Sequence, residues 1–387
     1  MSVRRRSSSG FWLAVLATLF VARAQPQSSE AESSKALWEV NARHLGYKSL
    51  VGEKRVQTFI DFTDANHVVF AWAAPDDPDA AKKAGWLTPV AAHLHVVVFD
   101  ARTGEKQRGQ EWSTPSLPIR LFGLDDGRIV TCTGSVLRQL SPSLDVTREQ
   151  NLPNERACVG PPRGPRGFSP SRRSLLLCIP PRDHFLQRDR YQCRLLDVET
   201  FSTLGDWVGD RGTAAVSDHW LAGFCASRDE LCIRAIHGSW RPFQPTAPGG
   251  ERPRSAFFAN DEALVIEAGK QMAIATPRGE VLFQVELPDK RSFGDSAASS
   301  RGERFAIIEN RSRGLKSEPL DMYPYPSNSR AVVYSIPARR AIFAVRLGGA
   351  SLWKPTRTNQ LALSPDGALL AVFCEGVLKV YRLPEVP

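Results

Sequence analysis

The residues with the most evident chemical capacity fall in a few short stretches. In AHLHVV (91–96), His93 and His95 stand two apart. On a β-strand, where successive side chains alternate between faces, both imidazoles would share one face. Two such rings could begin a zinc site, but no third ligand is evident, and a partly exposed strand pair accounts for them. FGDSAAS (293–299) contains Gly294-Asp295-Ser296, the tripeptide surrounding the serine of one esterase class. That nucleophile needs a strand-to-helix turn and distant Asp and His partners, whereas this serine stands at the start of a strand. In FDARTGEKQ (99–107), Asp100, Thr103 and Gly104 make a tight hairpin turn with the glycine free to take positive φ.

The seven cysteines are the other reactive set. Cys225 and Cys232 flank CASRDELC, and Cys178 and Cys193 bracket a longer connection of the same kind. Both pairs suit disulfides across neighbouring strands, where facing Cβ atoms come within bonding reach. Cys132 and Cys158 are the next candidates, which leaves Cys374 over. The alternative is a set of reduced core cysteines, and no C-x-x-C metal spacing occurs.

These side chains need a frame, and the frame repeats. FTDANHVVFAW (62–72), FGLDDGRIVTC (122–132), FSPSRRSLLLC (168–178), VSDHWLAGFC (216–225), FANDEALVIEAG (258–269), ASSRGERFAIIEN (298–310) and LSPDGALLAVFC (363–374) share one pattern. Each has a small or aromatic entry, a polar turn of Asp, Ser, Gly or Pro, and a β-branched or Leu-rich run. Such residues supply tight hairpin geometry. A strand, a turn and a strand follow each copy, as in HVVVFDARTGEKQ, YQCRLLDVETFST and AVVYSIPARRAIF. One unit is therefore a four-stranded antiparallel meander of about 40–50 residues, and almost no stretch spaces its apolar residues as a helix does.

Units of that length and order resemble the blades of β-propeller repeat proteins of the WD, YVTN and quinoprotein-like kinds. LALSPDGALLAVFCEGVLKVYRL (361–383) is the nearest match in phase. The resemblance implies an all-β fold: seven four-stranded blades in a ring, filling 36–387. The final blade shows only three strands, so the fourth is expected from Ala42–Leu50 (ARHLGYKSL), closing the ring and leaving no free edge. Asp100-x-x-Thr103-Gly104 also resembles part of a quinoprotein docking repeat, but Gln107 stands where that repeat carries tryptophan.

In such a ring, the loops from second to third strand share one face around the central channel. Three are long here: 73–92 in blade one, 180–190 in blade three and 311–330 in blade six. Blade seven, between six and one, has only CEGV. Two walls flanking a low floor predict a groove, with Trp86, Met322, Tyr323 and Tyr325 beside Asp76, Asp77 and Asp79 as ligand contacts. Aromatics next to acids suit a protein, peptide or glycan partner. The competing reading is that these residues only pack their own loops.

The chain opens MSVRRRSSSG, FWLAVLATLFVA, ARA: a basic segment, twelve apolar residues and a small-x-small site at Ala22 and Ala24. That pattern predicts a signal peptide over 1–24, followed by a disordered Gln/Ser/Glu-rich leader at 25–35 and a secreted or periplasmic chain. Twelve apolar residues fall short of the roughly 20 needed to span a bilayer, and no later run approaches that length. Cleavage would remove four arginines and no acids, so the 50 basic residues become 46 against 41 acids, a formal +5. Scattered lysines and arginines at that charge do not form a nucleic-acid face.

The expected function is a non-catalytic exported binding propeller without cofactor or metal. One alternative is a propeller hydrolase or lactonase, in which Asp61, Asp64, Glu267 or Asp295 would hold a divalent ion at the channel mouth. The other is a structural subunit of an envelope complex.

Overall fold

The computed structural model describes residues 35–47, 57–77, 91–114, 119–152, 167–179, 191–209, 213–224, 230–243, 253–269, 271–286, 291–312, 326–347 and 360–386. Strand β1 (Trp38–Asn41) comes first. Blade one is β2 (Gln57–Phe62), β3 (His67–Pro75), β4 (Ala92–Asp100) and β5 (Lys106–Thr114). Blade two is β6 (Ile119–Gly123), β7 (Ile129–Thr133), β8 (Val136–Leu140) and β9 (Val146–Asn151). Blade three has β10 (Ser174–Ile179), β11 (Tyr191–Asp197) and β12 (Thr203–Gly209). Blade four is β13 (Thr213–Val216), β14 (Trp220–Phe224), β15 (Leu231–Ala235) and β16 (Arg241–Phe243); blade five is β17 (Pro253–Asn260), β18 (Ala263–Ala268), β19 (Gln271–Ala275) and β20 (Val281–Glu286). Blade six is β21 (Arg291–Ala298), β22 (Arg304–Ser312), β23 (Pro326–Ser335) and β24 (Arg340–Arg346), and blade seven contains β25 (Gln360–Leu363), β26 (Leu369–Cys374) and β27 (Val377–Arg382). Each sheet is an antiparallel meander, and together they form a seven-bladed β-propeller.

Among the described residues blade three has three strands, and its inner position shows a single bridge, Phe168 to Leu175. Blade seven is completed from the N-terminal side, because β1 pairs antiparallel with β27 with Trp38 opposite Val380 and Asn41 opposite Val377. The closing strand is WEVN (38–41) and not the 42–50 segment expected from sequence. Ala42–Leu45 is instead a 3-10 turn, capped by Asn41, whose side chain accepts from the Arg43 N–H, and ended by Gly46 at φ +93°. WEVN alternates half-buried and exposed residues, as an outer strand does.

The core lies between blades. Phe62, Phe70, Trp72, Phe99 and Phe373 pack the seam of blades seven and one, while Phe257, Leu264, Ile274 and Phe305 pack that of five and six. The turn from first to second strand explains the repeated sequence signature. Ser169, Ser217, Ser299 and Ser364 are all buried, and their hydroxyls accept N–H bonds from Ser174, Trp220, Arg304 and Leu369 respectively. A short polar side chain thereby satisfies backbone that the turn would leave unpaired.

Among the described cysteines, Cys178 and Cys193 face each other across β10 and β11 and form a disulfide, with Cα atoms 4.0 Å apart. Cys132 and Cys232 are also disulfide-bonded, and Cys374 is a thiol. Cys158 and Cys225 lie outside the described residues. The bridge spans 15 residues, for which chain entropy gives about 3 kcal/mol. The double variant Cys178→Ala/Cys193→Ala is expected to lose that amount in urea denaturation, and a midpoint unchanged from the parent would contradict it. Among the described residues no helix is long and apolar enough to cross a membrane.

Candidate binding face

The two ends of the ring are built differently. At one end, the turns between first and second strands bond from blade to blade. Gly127 N–H donates to Thr63 O (2.7 Å), Arg128 forks onto Glu199 (3.0 and 2.7 Å), and Ser171 donates to Asp218 (2.6 Å). Asp218 N–H donates to Asp261 (2.7 Å), Asn260 to Gly302 O (2.5 Å) and Arg304 to Gly367 O (2.8 Å). Gln360 donates to Thr58 O between the inner strands of blades seven and one. The polar groups of this end are largely consumed in holding the ring together.

Asp61 is central to that end. Its carboxylate accepts from Phe62 N–H (2.9 Å) and Gly123 N–H (3.0 Å), the latter on the inner edge of blade two, and from Arg172 of blade three (2.9 Å). Gly123 has to be glycine, since a Cβ there would lie 2.0 Å from Phe62 O. Burial pushes the Asp61 pKa up, and the Arg172 charge pulls against it. Asp125 of blade two is also pushed up by burial, opposed by a hydrogen bond to Ser300 of blade six and by Arg172. Contacts from blades one, two, three and six thus meet across the axis. Arg120, on inner strand β6, is pulled down to about 10 by burial in the same interior.

The four acids of the hydrolase alternative are not gathered into one cluster. Asp61 is engaged by Arg172 and two backbone donors, Asp64 pairs with His67 (2.8 Å), and Glu267 accepts from Ser255 (2.6 Å) on a different blade from both. Asp295 is on inner strand β21 of blade six. Among the described residues no group of three or more His, Cys, Asp or Glu is arranged to hold a metal ion. Ser296 is buried in β21 opposite Ile307, within a strand pair and not on a strand-to-helix turn. Asp100 accepts from the N–H groups of Arg102 and Thr103 in its hairpin, and those bonds, led by Thr103, hold its pKa down.

The other end carries the long second-to-third connections. Of the predicted contacts, Asp76 and Asp77 follow β3 and are exposed; Asp79, Trp86, Met322, Tyr323 and Tyr325 lie outside the described residues. Asp76 turns back on its hairpin, its N–H donating to Ala91 O (3.0 Å), and its carboxylate lies 3.4 Å from His93 Nε2. The sequence offered no third group for His93 and His95, and the structure supplies Glu111, which stands opposite His95 on β5. One carboxylate spans both rings, 3.0 Å from His93 Nδ1 and 3.1 Å from His95 Nδ1. The arrangement is a ladder of side-chain contacts and not three donors converging on a point. His95 stacks on Trp72 at 4.8 Å, and Tyr47 sets its edge against Trp72, Phe70 and Phe373. Blade seven contributes only the tight turn at Glu375 and Gly376, both at positive φ.

No protein-family model matches the sequence, and no curated protein is similar to it. Several solved structures are similar in shape. A chain of a mitotic checkpoint complex is 14% identical, covering 88% of this chain and 98% of its own length, at a TM-score of 0.47. The C-terminal WD40 domain of Sif2 is 11% identical, with coverage of 88% and 100% and a TM-score of 0.39. BamB from Moraxella catarrhalis is 13% identical, with coverage of 90% and 99% and a TM-score of 0.38. At such values the fold assignment rests on the strand order above.

Proposed function

We propose that this chain is an exported, non-catalytic propeller that binds a protein, peptide or glycan on the face bearing loops 73–92 and 311–330. The observation that carries the reading is the asymmetry of the ring. Turns at one end are short and engaged between blades, whereas sixteen residues separate β3 from β4 and thirteen separate β22 from β23 at the other. A rigid ring holding long loops at one end is a common basis for recognition. The rim of His93, His95, Glu111 and Asp76 adds polar hydrogen-bonding groups at that end, with the half-buried Tyr47 packed beside the buried Trp72. The leader over 1–24 and the Cys178–Cys193 bridge support an oxidising, extracytoplasmic setting.

Photo-cross-linking tests the binding face. A photoreactive residue at Asp77 is expected to give specific adducts in cells expressing the full chain, and one at Asp126, on the opposite end, is expected to give none. Adducts from Asp126 alone would overturn the assignment. N-terminal sequencing of the exported product is expected to begin at Gln25; a chain retaining Met1 inside the cell would overturn the export reading.

A further inference from the structure

The outer rim of blade four carries a second feature, away from both ends of the channel. Arg234 on β15 is clamped between two indoles, its guanidinium carbon 4.4 Å from the Trp207 ring of blade three and 5.0 Å from the Trp240 ring. The Nε atom is buried and has no hydrogen-bond partner among the described residues. Burial pulls the Arg234 pKa down, with no carboxylate of the described residues opposing it. The nearby acid on β12, Asp206, is committed to Arg194 at 2.8 Å. Trp240 is one of only four large hydrophobic residues that are exposed among the described residues, and Leu204 of the same rim is another.

The other side of blade four repeats the theme. Arg241 lies 5.8 Å over Trp220 and donates to Pro277 O (3.1 Å) in the outermost turn of blade five. Arg241, Phe243, Pro277 and Arg278 line an open groove of about 350 Å³. Outer strand β16 between these two features is three residues long and contains Pro242, which blunts the edge against strand addition. A ligand here would be held by side chains.

A cation whose desolvation is only partly repaid by aromatic faces gains most from a carboxylate that meets the guanidinium fork. Tryptophan and arginine are also the residues that dominate the centres of protein interfaces. We propose that the blade-four rim, with Trp207, Arg234 and Trp240 on one side and Arg241 and Arg278 on the other, docks a segment of a partner protein in which acidic and apolar residues alternate. Charge complementarity selects the acidic residues, and the exposed Trp240 and Leu204 select the apolar ones. This surface is separate from the long-loop face and stands whether or not that face binds.

The probe is a fluorescent twelve-residue peptide alternating Glu and Phe, titrated by anisotropy into the full exported chain, with a Gln/Phe peptide as control. The Glu/Phe peptide is expected to bind and the Gln/Phe peptide to bind at least tenfold more weakly. Arg234→Gln and Trp240→Ala are each expected to weaken binding by about tenfold or more. Arg138→Gln, on blade two, is expected to leave it unchanged. Trp240 is at the rim, so Trp240→Ala keeps the test decisive if Arg234→Gln fails to fold. Equal binding of both peptides, an equal loss in Arg138→Gln, or no binding at all would overturn the proposal. So would equally effective competition by a sulfated polysaccharide, which carries charge without apolar side chains.

Discussion

A chain lacking residues 1–47 is expected to lose the cooperative unfolding of the closed ring and to associate through blade seven. Among the described residues strand β1 is the partner for the outer edge of β27, and its removal exposes a row of unpaired backbone groups. The loss extends beyond hydrogen bonds. Trp38 donates from its indole N–H to Ala101 O (2.9 Å), packs at a tilt against Phe99 (ring centroids 5.9 Å apart) and covers Gly104, where a Cβ would lie 2.6 Å from the ring. Val40, Leu45 and Tyr47 pack against the same seam of blades seven and one. The single change Trp38→Ala is expected to destabilise by about 3 kcal/mol, at the low end for a tryptophan because the side chain is half-buried. The truncation should exceed that and approach the whole stability of a domain, about 5–15 kcal/mol. By contrast, Glu39→Gln, which removes the exposed ion pair to Lys379, should change stability by less than about 1 kcal/mol. Thermal melts and size-exclusion chromatography read both effects. A truncated chain that melts with the parent as a monomer would mean the ring closes by some other route.

The repeat was legible in sequence because its turn has a chemical requirement. A buried Ser, as at Ser169, Ser217, Ser299 and Ser364, must precede the second strand to satisfy its first N–H groups, so the signature recurs even where the strands diverge. The closing strand was placed four residues late. Within ARHLGYKSL, Gly46 at positive φ ends a 3-10 turn, and the alternation in WEVN is only four residues long. In blade three the described part of the inner position is the bridge of Phe168 to Leu175, preceded by a stretch rich in Pro and Gly.

The sites were less legible, for a physical reason. Glu111 meets His93 and His95 only because a bulge between Val98 and Phe99 shifts the register of β4 on β5. A period-two reading of KQRGQEWST cannot locate such a shift. Arg234 meets Trp207 across a blade boundary, and Arg172 meets Asp61 across 111 residues of sequence. Contacts of that kind are set by ring closure, which the local pattern does not encode. The result is a molecule whose repeats can be read along the chain, while its chemistry is read only around the circle.

Replacing Arg172 by methionine is expected to produce the largest loss of any single side chain at the end of the ring opposite the long loops, and one that grows with pH. Both members of the pair are largely buried, with side-chain exposures of 12% for Arg172 and 9% for Asp61. Removing one partner of such a pair leaves the other charge uncompensated and costs about 3–5 kcal/mol. The pH dependence follows from the direction of the Asp61 shift. Burial already raises its pKa above 3.8, and Arg172 is the leading influence that pulls it back. Without Arg172 the folded-state value climbs further, so the native chain binds a proton that the unfolded chain has released. Stability then falls as pH rises from the unfolded aspartate value toward the raised folded one, and levels off above it. Asp125 contributes with the same sign, because Arg172 opposes its upward shift as well. Urea denaturation of parent and Arg172→Met should therefore diverge little near pH 4 and most near pH 8. Adding Asp61→Asn to Arg172→Met removes the principal ionisable group and should restore most of the loss at pH 8 while changing little at pH 4. A deficit in Arg172→Met that is the same at every pH would show that Arg172 acts by packing alone. The carboxylate beside it would then already be neutral in the parent, and the blades would be joined there by hydrogen bonds without a charge pair.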